Sequence, residues 1–285
     1  MFPEPITVPL LGVTLRVHNA LVLAAVVVGS VLVLVTARRL EGLSGRRTLA
    51  AIALITCSEF FFGRLHYVLA HWDPSQSSLL SVLRLWGSIH AAGAVVGVVI
   101  GAVLAGRLLG VAVGKLADAC VPGAGVAIAL ARLGCFAHGC CFGAVCTLPW
   151  CFRWRRGTPV HGYQATQQLI GDVDRFSLPV HPLQLYFAAV GLGIAVVATV
   201  LYRRKRYDGQ VALGALAAFA LTTLALEPLR AFPPESYWGP MSPLMWAASA
   251  LLLAASGTIL AARATRRRRS GHRPATLPAA VDARP

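Results

Sequence analysis

One short run, Arg132-Leu-Gly-Cys-Phe-Ala-His-Gly-Cys-Cys-Phe-Gly143, closes an apolar segment with an arginine, a histidine and three thiols. Each of these types can do chemistry. An arginine fork stays ionised and grips a phosphate with two hydrogen bonds, so it suits a site where negative charge develops. Histidine exchanges a proton near neutral pH. Thiols attack carbon or sulfur, pair as disulfides, or bind soft metals. Lipid cannot solvate an ionised group, so such a cluster at a membrane edge points to function. Other groups belong in the same search. Glu227 and Arg230 are spaced i, i+3 and can pair on one helix face. Arg64 stands mid-segment, and its nearest acid in sequence, Glu59, is five residues away on a different face, whereas Glu59, Gly63 and His66 share one. His90 precedes Gly93, Gly97 and Gly101, a strip of small residues that suits close helix contact. Five of the seven cysteines fall between Cys135 and Cys151. They lack paired C-x-x-C spacing, and neighbours Cys140 and Cys141 are poorly placed to bond to each other. Cys135, Cys140 and Cys141 form a candidate thiol cluster that could bind a soft metal with His138; no metal or cofactor is assigned from spacing alone.

The elements that must carry these groups are membrane helices. Apolar residues make up 56% of the 285 and charged ones 13%, about half the charged share of a soluble domain; mean hydropathy is +0.67. Seven segments can cross a ~30 Å hydrocarbon core: Ala20–Thr36, Leu49–Ala70, Ile89–Leu109, Ala117–Phe136, Leu183–Tyr202, Val211–Leu229 and Pro243–Ala262. Pro122, Gly123 and Gly125 weaken the fourth. The fold class expected is all-α and polytopic, with a long outer loop between helices 4 and 5. Residues 1–265 form the membrane domain and 266–285 a disordered basic tail. Arginines and lysines fall at every second connection (Arg38, Arg39, Arg46, Arg47; Arg107, Lys115; Arg203–Arg206; Arg263, Arg266–Arg269). That alternation is a topology signal, placing the N-terminus outside and the C-terminus in the cytoplasm. It accounts for the net charge of +15 without nucleic acid.

Several motifs resemble prolipoprotein diacylglyceryl transferases. Arg132–Gly143 is similar to that family's Arg-Leu/Ile-Gly-Asn-Phe-x-x-Gly-Glu-x-x-Gly, with Cys135 and Cys140 in place of the Asn and the Glu. Gly63-Arg-Leu-His-Tyr-Val-Leu69, the segment Arg84–Gly93, Leu148-Pro-Trp150 and His181-Pro-Leu-Gln-Leu-Tyr186 resemble further family segments, in order and in register. Thr223 stands for a family arginine, Phe187 for a glutamate and His18 for a tyrosine. The resemblance implies a bacterial inner-membrane enzyme that moves diacylglycerol from phosphatidylglycerol to an acceptor thiol, such as the lipobox cysteine of a lipoprotein precursor. It implies catalytic roles for His90, Arg132, Glu227 and Arg230. Lipid contacts are implied for Arg64, Gly134, Gly143, His181, Gln184 and Tyr186.

Two other functions are compatible with the residues. Loss of the family's carboxylate and arginine at Cys140 and Thr223 suits a non-catalytic lipid-binding paralogue. The Cys135–Cys151 cluster suits thiol redox or metal-binding chemistry.

Overall fold

The computed structural model describes residues 7–10, 13–72, 82–83, 90–231 and 239–271; the motif residues 84–89 and the end of the tail, 272–285, lie outside these. A backbone hairpin of β1 (Thr7–Leu10) and β2 (Val13–Arg16) leads straight into α1 (Val17–Arg39). The remaining helices are α2 (Gly45–Ala70), α3 (Ala91–Leu109), α4 (Val113–His138), α5 (Pro159–Thr166), α6 (Leu183–Tyr202), α7 (Gln210–Leu226) and α8 (Pro243–Gly271), with a 3-10 turn at Glu227–Leu229. Among the described residues, six helical segments are long and apolar enough to cross a membrane, and α8 adds a shorter apolar stretch, Pro243–Thr258. Apart from the short β1–β2 hairpin, this is a helical polytopic membrane protein. The α8 helix continues to Gly271, past the expected start of the tail at Arg266.

Packing follows the logic of lipid as solvent. With no hydrophobic drive between helices, small residues face inward and large apolar ones face out. In α1, Ala25 and Gly29 are buried, while Leu23, Val26, Val27 and Val31 are exposed. The weak fourth span is an unbroken helix that contains Pro122. Its glycines are contacts rather than breaks. A methyl group on Gly123 would meet the Gly29 carbonyl of α1 at 2.5 Å, and one on Gly125 would meet the Gly191 carbonyl of α6 at 2.5 Å. Thus α4 sits between α1 and α6.

The glycine strip of α3 lies directly on α2. A side chain at Gly97 would meet Glu59 Cα at 2.7 Å and one at Gly101 would meet Ile55 Cα at 2.7 Å. Replacing Gly97 by leucine should therefore force the two helices apart and cost about 1–3 kcal/mol or more. A lowered thermal midpoint in detergent would register this, and an unchanged midpoint would contradict the contact.

Alternation of helix direction gathers Arg38, Arg39, Arg107, Lys115 and Arg203–Arg206 at one end of the bundle. Asp118 of α4, fully buried, anchors that end. Its carboxylate accepts N–H groups from Gly209 and Ala212, each at 2.8 Å, and pairs with Lys205 at 2.9 Å. Lys205 also reaches Glu41 at 2.6 Å. The opposite end carries the long 139–182 connection. This connection is itself folded: Trp154, Val160 and Val180 are buried under Phe136, Phe142 and Phe152, and a Cys146–Cys151 disulfide closes its first turn.

Candidate functional site

The site is built where α4 ends. Gly139 adopts the left-handed conformation (φ +78°) and its N–H caps the carbonyl of Cys135 at 2.9 Å. The helix stops there because glycine takes that conformation without a Cβ clash. The chain then runs between two other segments. Gly143 N–H donates to the His181 carbonyl at 2.9 Å, and Ala144 N–H donates to the Leu229 carbonyl at 2.7 Å. A Cβ at Gly143 would meet His181 Cβ at 2.6 Å and the Leu229 oxygen at 2.7 Å, so only glycine permits this three-way crossing. The crossing joins the Arg132 motif, the His181–Tyr186 motif and the Glu227–Arg230 turn.

Arg132 Cζ lies 5.1 Å from the centre of the Phe187 ring, and Arg230 Cζ lies 5.9 Å from it. One aromatic ring on α6 therefore joins two guanidinium groups, an attraction between cation and π-face that is stronger where water is scarce. Glu227 is 1% exposed and pairs with Arg230 Nε at 3.1 Å. The i, i+3 pairing read from the sequence is present, across a 3-10 turn rather than along an α-helix. Around it, Glu227 Oε2, Thr223 Oγ1 and Gln184 Oε1 are buried without a hydrogen-bond partner among the described residues. Buried polar atoms are nearly always bonded in a native protein, which sets these three groups apart from the apolar packing around them. Gln184 Nε2 donates to the Cys140 carbonyl at 2.6 Å. Tyr186 Oη accepts the Trp150 indole N–H at 2.7 Å and stands 3.4 Å from His181 Nδ1. Gly134 rests against the start of α1, where a Cβ would meet the His18 carbonyl at 3.2 Å.

Cys135, Cys140 and Cys141 bring their sulfurs within 4.8 Å of one another. Hydrogen bonds from Cys135 and Cys140, with the positive fields of Arg132 and Arg230, hold the Cys141 thiol below its ordinary range. Hydrogen bonding to Cys135 and Cys141, and then burial, push Cys140 up.

His90 belongs to a second array on α2 and α3. It is the N-cap of α3, and its ring lies 4.8 Å from His66, 5.3 Å from Tyr67 and 5.3 Å from His71. Burial and the neighbouring His66 and His71 lower its pKa, so the imidazole is neutral at pH 7 and able to accept a proton. His66 Nδ1 accepts the Gly93 N–H at 3.1 Å. Arg64 is buried, with Cζ 5.4 Å from the Tyr67 ring. The structure thus brings Arg132, Glu227 and Arg230 together, with Gln184 alongside. His90 and Arg64 occupy the α2–α3 side of the same bundle end. Sequence reasoning missed Phe187 as the shared platform. Its spacing, three residues after Gln184 on one helix face, was the available signal.

The family described as prolipoprotein diacylglyceryl transferase matches residues 5–261. The chain belongs to this diacylglyceryl transferase family. Among relatives named phosphatidylglycerol--prolipoprotein diacylglyceryl transferase, the chain is 24% identical to that of Clostridioides difficile over 78% of its own length and 81% of the relative's. It is 33% identical to that of Acaryochloris marina over 49% and 51%, respectively. For Mycolicibacterium paratuberculosis the identity is 30% over 68% of this chain and 46% of the relative. The Arg132–Gly143 crossing, the His181–Tyr186 segment and the Glu227–Arg230 turn all fall inside the matched family region.

Proposed function

We propose that the protein transfers a diacylglyceryl group from phosphatidylglycerol to the thiol of a lipoprotein precursor at the outer leaflet of a bacterial inner membrane. The observation that carries this reading is the pair of guanidinium groups on Phe187 at the bundle end away from the basic connections. Below them an apolar groove of about 280 Å³ runs between α6 and α7, lined by Val190, Ile194, Val197 and Ala218. A phosphate held by Arg132 and Arg230 would leave the acyl chains over this groove. The acceptor sulfur attacks the glyceryl carbon, the carbon–oxygen bond to phosphate breaks, and glycerol phosphate departs. The two arginines stabilise the charge on that leaving group. The thiol proton, relayed by neutral His90, ends on the glycerol phosphate.

Purified protein incubated with labelled phosphatidylglycerol and a lipobox peptide should yield lipidated peptide and free glycerol phosphate. A second reading, a lipid-holding paralogue without turnover, draws on Cys140, Thr223 and Phe187, which stand where the family pattern has two carboxylates and an arginine. Phospholipid bound without glycerol phosphate release would favour that reading; no bound phospholipid would overturn both.

The proposed orientation puts the 139–182 connection and the N-terminus outside and the basic tail in the cytoplasm. Gly171 is exposed in that connection. A Gly171→Cys variant, made in a background lacking other exposed cysteines, should react with a membrane-impermeant thiol reagent in intact cells. Reaction only after lysis would reverse the orientation.

A further inference from the structure

Spacing alone assigned no metal to this chain, but the geometry of its thiols does. We propose that Cys135, Cys140 and Cys141 bind one zinc ion and leave its fourth position open to the acceptor thiol. The role assigned to that open position rests on the transferase reading above.

Three observations lead there. First, one sulfur from the last turn of α4 and two from the turn that follows it lie within 4.8 Å of one another. Tetrahedral zinc with sulfur at about 2.3 Å requires sulfurs about 3.8 Å apart, so contraction of about 1 Å, within side-chain rotation, closes the site. Second, a disulfide needs two sulfurs, whereas here a third is turned in by the backbone. Cys141 has φ +58°, a left-handed conformation that costs a residue with a Cβ roughly 1 kcal/mol or more. Adjacent side chains on an extended segment would point to opposite sides; this twist sends Cys140 and Cys141 to the same one. The twist is held, because Gln184 Nε2 binds the Cys140 carbonyl at 2.6 Å. Third, the cluster is one-sided. All three ligands stem from the end of α4 and the turn after it, and Cys141 is exposed. Three protein ligands and an open position is the pattern of reactive rather than structural zinc. Three thiolates around a divalent ion leave a net negative charge, and the positive fields of Arg132 and Arg230 reach Cys141 to offset it.

The chemistry fits the reaction. Zinc binds a thiol as thiolate, which is the form that attacks carbon. The acceptor's S–H bond breaks on coordination and its proton follows the route given above to the released glycerol phosphate. The sulfur lone pair forms the new carbon–sulfur bond as the carbon–oxygen bond to phosphate breaks. The thioether produced is uncharged and a weaker ligand, so it leaves and reopens the fourth position. No oxidant or reductant takes part.

The test uses full-length protein in detergent, reduced, stripped of metal and titrated with cobalt(II). A sulfur-to-cobalt charge-transfer band should saturate at one equivalent per chain and disappear on adding zinc. Cys135→Ser, Cys140→Ser and Cys141→Ser should each weaken cobalt binding by roughly 100-fold or more, beyond the 10–100-fold typical of losing an outer-shell partner. Cys57→Ser, an exposed cysteine on α2, should not. A lipobox peptide should shift the cobalt spectrum, and the same peptide with serine for cysteine should leave it unchanged. No band while the three thiols remain titratable, a band that survives loss of all three, or a band indifferent to the cysteine peptide would each overturn the proposal. A responsive cobalt site in a protein that releases no glycerol phosphate would instead sink the diacylglyceryl reading and leave the thiol-binding zinc standing.

Discussion

Arg132→Lys is expected to lower diacylglyceryl transfer by about 10²–10³-fold, the range seen when one preorganised donor to a developing oxyanion is lost. The substitution keeps the charge. It removes the planar fork that binds phosphate through two parallel hydrogen bonds, and the face that lies 5.1 Å from Phe187. A lysine ammonium is a point charge on a flexible stem, so it can attract phosphatidylglycerol without fixing the scissile bond. The loss should therefore fall mainly on the turnover rate, with lipid binding weakened far less. Arg38→Lys, at the basic end of the bundle, should leave both quantities unchanged. Equal transfer rates for Arg132→Lys and the parent would mean that this guanidinium does not hold the phosphate.

Phe187 shows why the site was only partly legible. Read against the family pattern, it was a lost glutamate. In three dimensions it is the surface that aligns Arg132 and Arg230, which are separated by most of the chain's second half. A carboxylate there would compete with a phosphate for both cations, whereas a phenyl face attracts them and leaves their outward donors for ligand. That relation depends on the Gly143 crossing, and pairings between distant segments leave no periodic trace in a sequence. Features set by neighbouring turns were legible. The Gly93, Gly97 and Gly101 strip pointed to a close helix contact, because side chains four apart share a face, and Glu227 with Arg230 pointed to a local pair. The fourth span was undervalued for the opposite reason. In water, glycine and proline weaken a helix; between membrane helices, Gly123 and Gly125 are the places where backbones meet. Lys205 was read as one more topology charge, and its partners Glu41 and Asp118 lie far away in the chain.

That last network carries the largest expected effect on stability. Replacing Asp118 by alanine should cost about 3–5 kcal/mol, as expected when one member of a buried charge network is removed. Asp118 is fully buried and caps the start of α7 through Gly209 and Ala212, so its loss leaves two N–H groups without their acceptor and Lys205 without its most buried counter-ion. Asp118→Asn, which retains an acceptor oxygen, should cost less. Burial alone would lower the Lys205 pKa, but hydrogen bonds to Glu41, Asp118 and Asp208 outweigh it and raise it above 10.5. A raised lysine pKa contributes its stability in full below the ordinary value and loses it only as pH climbs through the folded one. The contribution should hence be constant from pH 6 to about pH 9. The damage should also reach the far end of the bundle. α7 is a single helix from Gln210 to Leu226, and Glu227 and Arg230 follow it directly, so a loosened start lets the Arg230 end shift against Phe187. Thermal inactivation half-life in detergent, the appropriate measure where unfolding is irreversible, should fall steeply for Asp118→Ala, with transfer lost before the protein aggregates. A half-life close to the parent's would show that Lys205 and α7 hold their places through Glu41 and packing alone.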